Sequence, residues 1–266
     1  MKIEYINKSK LNRNDDCHCG SGKKYKFCHM GLDRIIRLWS DEKCNCCGES
    51  LYKDFDNSDI ITLFTNSQVR MFNYFKEYNL YLFSTITIGY LSNLEKKEIE
   101  NGCLIKSDLM EIYKQYLTRE TTDFHLKYCL ENELYDKREE ILLDIISAHF
   151  DKKYTLSIPA SFTIIEGIGR EICNLEPRAS FNLNIDVQIF LRKELLNVAE
   201  SATYFNLFVN NLFSGKGNVS QFNRNPVLHG LNLSYFSEEH SLILILCIFE
   251  FRQFLMWREL NIKGFK

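Results

Sequence analysis

The sequence predicts an all-α protein, a helical bundle preceded by a small metal-binding module at its N-terminus. Three observations carry that expectation. Cys17, Cys19, Cys28 and His29 crowd into one polar, glycine-rich stretch. From about residue 58 apolar side chains recur at helical spacing. No strand-rich region, internal repeat or glycine-rich nucleotide loop interrupts that pattern. The implied division is a module at residues 1–50 and a helical body at residues 58–266.

Three thiols and an imidazole are the ligand set of a closed tetrahedral zinc site. So short and hydrophilic a stretch has no core of its own, and a bound ion would supply its folding free energy instead. Gly20 and Gly22 let the backbone turn tightly between the two ligand pairs. The pattern Cys-x-Cys-Gly-Ser-Gly-x-Lys-Tyr-x-x-Cys-His resembles the SEC-C zinc motif, an accessory module found on many bacterial proteins. The resemblance implies a structural zinc ion on Cys17, Cys19, Cys28 and His29, with His18 at a variable position of the motif. A second cluster, Cys44, Cys46 and Cys47, is followed by Gly48. It reads as half of a second zinc site, as a patch packed on the first, or as a stretch merely rich in thiols. Between the clusters, Leu32, Ile35, Ile36 and Leu38 predict a short helix over Gly31–Ser40.

Composition narrows the setting. Of ten cysteines, six lie in these two clusters; Cys103, Cys129, Cys173 and Cys247 sit in apolar or helical contexts and read as reduced core residues. The first residues contain no apolar signal region. The run Leu242–Phe249 is too short to span a bilayer. A reducing cytoplasm, with no membrane partner, fits these features. A net charge of −2 argues against a uniformly basic nucleic-acid binder. Residues 1–37, however, carry a formal +5, a basic module beside a near-neutral body. That charge suits phosphate contact or simply a solvated face. Tyr25 and Phe27, beside Lys23, Lys24 and Lys26, are placed to stack on bases.

The body reads in order as follows. Gln68–Leu91 is apolar, with a clear helical period only in its first half; Thr85–Tyr90 is a buried helix end or a short extended piece. Helices are predicted at Ser107–Leu117, Thr121–Glu133 and Asp136–Phe150. Another is expected to start near Pro159, capped by Ser157, and to run over Ala160–Leu175. Asp186–Phe213 reads as one long amphipathic helix that stops at Ser214-Gly215-Lys216-Gly217. Ser237 caps the last helix, which reaches about Leu260.

Between the last two helices lies Asn223-Arg224-Asn225-Pro226-Val227-Leu228-His229-Gly230. Pro226 suits the first position of a helix and Asn225 its cap. Arg224 and His229 would then be the two residues whose side chains meet over a helix start. Two potential cations meeting where free backbone N–H groups converge ask for an anion, such as a phosphate. The segment resembles the Arg-x(4–6)-His signature of the HEPN superfamily, all-α domains that include many prokaryotic endoribonucleases. Pro226 departs from the commonest pattern but keeps both motif residues.

The HEPN resemblance implies metal-independent RNA cleavage by attack of the 2′-OH on the adjacent phosphorus. His229 would serve as general base or acid, Arg224 would hold the scissile phosphate, and Asn225 would orient one of its oxygens. Glu166, and less so Glu171, would reach this pair from a neighbouring helix. One Arg–His pair is half of an acid/base site, so a homodimer is implied. A defence or toxin effector, with an antitoxin or other protein partner, fits the family. The competing reading is a non-catalytic SEC-C/HEPN interaction protein that binds RNA or a protein. His240 reads as structural, and His125 and His149 as packing or surface residues.

Overall fold

The structure, a computed structural model, describes residues 2–7, 10–28, 30, 34–43, 50–56, 69–176, 178–185, 198–214, 222–231 and 233–262. His29, Cys44, Cys46, Cys47 and residues 186–197 of the expected long helix lie outside them. The chain divides into two units, Met1–Val69 and Arg70–Lys266.

In Lys-Ile-Glu-Tyr-Ile-Asn, Lys2 to Tyr5 alternate polar and apolar, and in Ser-Leu-Tyr-Lys-Asp-Phe-Asp, Tyr52 and Phe55 add β-favouring apolar side chains, which suits extended chain. In the first unit these segments are β1 (Lys2–Asn7) and β3 (Ser50–Asp56), and they flank β2 (Arg34–Lys43). The three strands form an antiparallel sheet in the order β1-β2-β3. Ile3 pairs with Leu38 and Leu38 with Lys53, and the register shifts between Trp39 and Lys43. The helix expected over Gly31–Ser40 is therefore corrected to a strand across its described part. A short apolar run satisfies either period, and here two neighbouring strands supply its backbone partners. The cysteine loop, residues 10–28, lies in the β1–β2 connection, and the boundary expected at residue 50 falls on the first residue of β3.

The second unit is all-α. Helical residues 69–77 (α1) end at Asn79, whose φ is 55°. An irregular stretch follows, and then α2 (Ile88–Asn101), a helix that the apolar reading of Gln68–Leu91 missed. α3 (Lys106–Tyr116) and α4 (Arg119–Leu130) lie close to expectation. Thr118 caps α4, accepting from Thr121 N at 3.2 Å while its own N–H donates to Thr121 Oγ1 at 2.9 Å. The single turn α5 (Glu133–Asp136) precedes α6 (Glu139–Phe150).

α7 (Tyr154–Ile172) begins earlier than Pro159, which lies inside it, and Ser157 is a buried helical residue rather than a cap. The proline removes one hydrogen bond to the Thr155 carbonyl. Thr155 is exposed, in the first turn of the helix.

The described part of the expected long helix is α8 (Val198–Phe213). Two of its residues, Asn206 and Asn210, lie one turn apart and grip an extended segment. Asn210 accepts from Leu183 N at 2.6 Å and donates to Leu183 O at 2.8 Å; Asn206 does the same to Ile185 at 2.9 and 3.1 Å. Side-chain amides thus complete the backbone bonds that a neighbouring strand would otherwise make. The short α9 (Arg224–Leu228) and the long α10 (Glu238–Ile262) end the chain.

α10 forms the axis of the body. Every residue from Ser241 to Arg252 is buried, and the helix packs on α3, α4, α6 and α7. The apolar run Leu242–Phe249 is a helix buried all round. No helix among the described residues is long and apolar enough to cross a membrane. Inside this core lies one carboxyl, Glu250. It accepts from Tyr81 Oη at 3.0 Å, Ser84 N at 2.9 Å and Ser84 Oγ at 2.9 Å, tying the irregular stretch after α1 to the axis.

Candidate functional site

The cysteine loop is shaped by its own backbone. Cys17 N donates to Lys23 O at 2.9 Å, Tyr25 N to Asp15 O at 2.8 Å and Lys26 N to Arg13 O at 2.9 Å. Gly20 and Gly22 take φ values of 72° and 71°, the left-handed conformation their positions were expected to need. Tyr25 is fully buried, the one large side chain closing this small loop. The turn brings Cys19 Sγ within 3.5 Å of both Cys17 Sγ and Cys28 Sγ, and the three sulfurs lie within 4.8 Å of one another. Sulfurs sharing one tetrahedral ion at ~2.3 Å stand about 3.8 Å apart, so the cluster fits a metal-binding site. The Ser21 hydroxyl, then the Ser21 amide and the Cys28 thiol, hold the Cys19 thiol down at about 6, which favours the ligating thiolate.

The Arg224–His229 segment is built differently from expectation. The cap of α9 is Asn223, not Asn225. Buried Asn223 accepts from Asn225 N at 3.0 Å and donates to Asn211 O at 2.9 Å, so one side chain starts α9 and ties it to the end of α8. Pro226 is then third in the helix, where the N–H it lacks would have had no partner. Arg224 is the first helical residue and His229 the C-terminal cap. Five helical residues turn about 140° past a full revolution, so their Cβ directions diverge. The meeting over a helix start is thereby corrected.

The C-terminal end is equally determined. Gly230, at φ 65°, donates to Val227 O at 3.1 Å, and Leu231 N donates to Pro226 O at 2.8 Å. That is a Schellman motif, and it sets the exposed His229 immediately before the left-handed glycine.

Arg224 reaches α7. Its Nη2 lies 2.9 Å from Glu166 Oε2, and its guanidinium carbon 5.7 Å from the centre of the Phe213 ring. The other oxygen of Glu166 is taken by Arg170, at 2.9 Å from Nη2 and 3.0 Å from Nε. Arg170 also donates to Glu176 O and Ala179 O, so it has a structural task in the turn after α7. Arg224 makes no such backbone bond among the described residues, and its Nε is buried with no hydrogen-bond partner. Glu171 is engaged elsewhere, by Lys137 and Arg138. Asn225 is partly buried beside Arg224, its backbone N–H bound to the Asn223 cap.

His125, His149 and His240 pack. His240 contacts the Phe222 ring at 4.1 Å and Ser237 Oγ at 2.8 Å; burial, and then Lys106, push it down to about 4. His149 bonds to Ser241 Oγ at 2.8 Å, and His125 bonds to Tyr116 and stacks on Phe249. Burial lowers both. The sequence reading passed over Asn223, Phe213 and Arg170. Only Asn223 carried a local signal, since an asparagine immediately before a short helical stretch is a cap candidate.

Residues 13–31 match the SEC-C motif. The three clustered thiols all fall within that SEC-C segment, and motif and cluster together fit a zinc module. Comparison of the chain with curated proteins and with solved structures finds no match.

Proposed function

We propose that the protein is a metal-independent endoribonuclease of HEPN type, acting in the cytoplasm as a homodimer and carrying a SEC-C module that holds structural zinc. The observation that carries this reading is Arg224. It is fixed by Glu166 and Phe213, yet it keeps a buried N–H without an acceptor and lies five residues from an exposed imidazole. Buried donors are almost always paired, so an unpaired one on a guanidinium is a place for an anion's oxygen.

In this reading Arg224 binds the scissile phosphate and stabilises the charge that grows on its oxygens. Asn225 orients one of those oxygens. His229 takes the 2′-OH proton or supplies one to the leaving 5′-oxygen. Glu166 is a positioning residue. Because Arg224 and His229 diverge within one chain, the second histidine comes from a second copy. Leu228, Leu231 and Leu233, all exposed around His229, give that copy an apolar surface. Zinc suits the module because three thiolates and one imidazole form a closed tetrahedral set; His29 is the proposed fourth ligand. A role as a defence or toxin effector, with an antitoxin as partner, is part of the same proposal.

One observation favours the competing reading, a non-catalytic interaction protein: Glu166 already neutralises Arg224. The deciding experiment is labelled RNA incubated with the purified protein in EDTA, beside Arg224→Ala and His229→Ala. The expected result is cleavage by the parent only, giving 2′,3′-cyclic phosphate ends, with DNA uncut. No cleavage by the parent dimer, or undiminished cleavage by His229→Ala, leaves the interaction protein in front.

A further inference from the structure

The SEC-C loop holds two aromatic residues with opposite fates. Tyr25 is fully buried, whereas Phe27, two residues later, is 74 % exposed. Tyr25 is therefore unavailable for the base stacking expected of it, and Lys24 is tied to Asp16 at 2.8 Å. What remains is a ring with basic neighbours. Lys26 Nζ lies 4.8 Å from the centre of the Phe27 ring. Arg13, Lys23 and Lys26 have no carboxylate partner among the described residues.

The backbone that carries the ring is also fixed. Phe27 belongs to the 3₁₀ turn Tyr25–Phe27; its N–H donates to Lys24 O at 2.9 Å, and Lys26 N donates to Arg13 O at 2.9 Å. The next residue is Cys28, one of the three clustered thiols, so a bound metal would anchor the turn. Residues 10–28 carry five basic and two acidic side chains, and the stretch stays positive after three thiolates neutralise a divalent ion.

We propose that Phe27, with Arg13, Lys23 and Lys26 around it, is a base-stacking site for single-stranded RNA, separate from the Arg224–His229 segment. An exposed ring on a fixed turn gives one base an apolar face, and the lysines meet the flanking phosphates. Charge and shape together suit the strand: the basic side chains match its phosphates, the ring matches an unpaired base, and a duplex would present no free base to it. The proposal extends the RNA reading above but needs no cleavage.

The test uses the full-length, metal-loaded chain carrying His229→Ala, so that RNA stays intact, with anisotropy of a short labelled oligouridylate as readout. Phe27→Ala is expected to weaken binding about tenfold. Phe27→Trp should keep the affinity, and Lys23→Ala with Lys26→Ala should flatten the dependence of log K on log salt by about 0.7 per lysine. A duplex of the same length should be indifferent to Phe27→Ala. Metal content equal to the parent's shows that each variant keeps its loop. Unchanged oligouridylate binding by Phe27→Ala overturns the site, even if the parent cleaves RNA. Phe27-dependent binding by a parent that cleaves nothing sustains the site and removes only the ribonuclease reading.

Discussion

The cysteine loop and the Arg224–His229 segment are both short, polar and chemically distinctive, yet they are built on opposite principles. Within residues 10–28 the backbone bonds, the two left-handed glycines and the three thiols all lie in one stretch of chain. The Arg224 environment is assembled from four places: the Asn223 cap, Glu166 on α7, Phe213 at the end of α8 and the Schellman turn at Gly230. The first arrangement depends on ligation. The second depends on three helices being packed correctly around α10.

The largest expected effect breaks the first arrangement. Removing the metal, by chelation or by Cys17→Ser with Cys19→Ser, should cost the loop on the order of 10 kcal/mol of folding free energy. Hydrogen exchange should then show loss of protection at the Cys17, Tyr25 and Lys26 amides, while the amides of α10 stay protected. Protection unchanged in the loop would mean that its backbone bonds suffice without ligation.

The corresponding experiment on the second region should leave folding alone and remove activity. His229 is exposed, so His229→Ala should alter stability by less than about 0.5 kcal/mol. Cleavage of RNA should fall by about 10²–10⁴. Single-turnover rates and a denaturation curve on the same sample separate the two outcomes.

Glu250 tests the scaffold beneath. Glu250→Ala removes the acceptor shared by Tyr81 Oη and the two donors of exposed Ser84, leaving Tyr81 Oη only Ser201 Oγ at 2.6 Å, with an expected loss of about 2 kcal/mol. Burial raises the Glu250 carboxyl to about 7. A carboxyl with a raised folded pKa binds more protons folded than unfolded. Its contribution to stability therefore falls as pH rises from about 4.5 to about 7. His240, lowered to about 4, acts in the opposite sense and adds stability as pH rises from about 4 to 6.5. In Glu250→Gln the opposing slope is gone, so stability should climb more steeply between pH 5 and 6.5 than in the parent. Urea midpoints across that range read the difference directly.

The smallest change is at Gly230. Gly230→Ala forces a side chain onto a φ of 65° and should cost about 1 kcal/mol, a drop of about 2–4 °C in Tm for a body of this size. Because the turn also sets His229, cleavage should fall more than the stability loss alone accounts for. An unchanged rate would show that His229 is not positioned by this turn.

The same contrast governs what the sequence disclosed. The metal ligands Cys17, Cys19 and Cys28 could be read from spacing because every contact that joins them is local. α3, α4 and α6 were legible for the same reason, their apolar faces, and for α4 its Thr118 cap, lying within each segment. β2 was misread as a helix because its partners lie about thirty residues before it in β1 and a few residues beyond it in β3. The missed helix α2 followed an apolar stretch whose irregular backbone is held by Glu250, far along the chain.

By itself, then, the sequence determined the all-α character of the body, the thiol cluster of the cysteine loop, and the two residues, Arg224 and His229, that single out the segment before the last helix. Local hydrogen bonds, turn glycines and helical periodicity suffice for those, since each acts over a few residues. Only the tertiary structure decided that Asn223 caps α9, that Arg224 is held against Glu166 while its Nε lacks a partner, and that Phe27 rather than Tyr25 faces outward. Burial and ion pairing depend on which distant surfaces meet, and no pattern within a single segment encodes that.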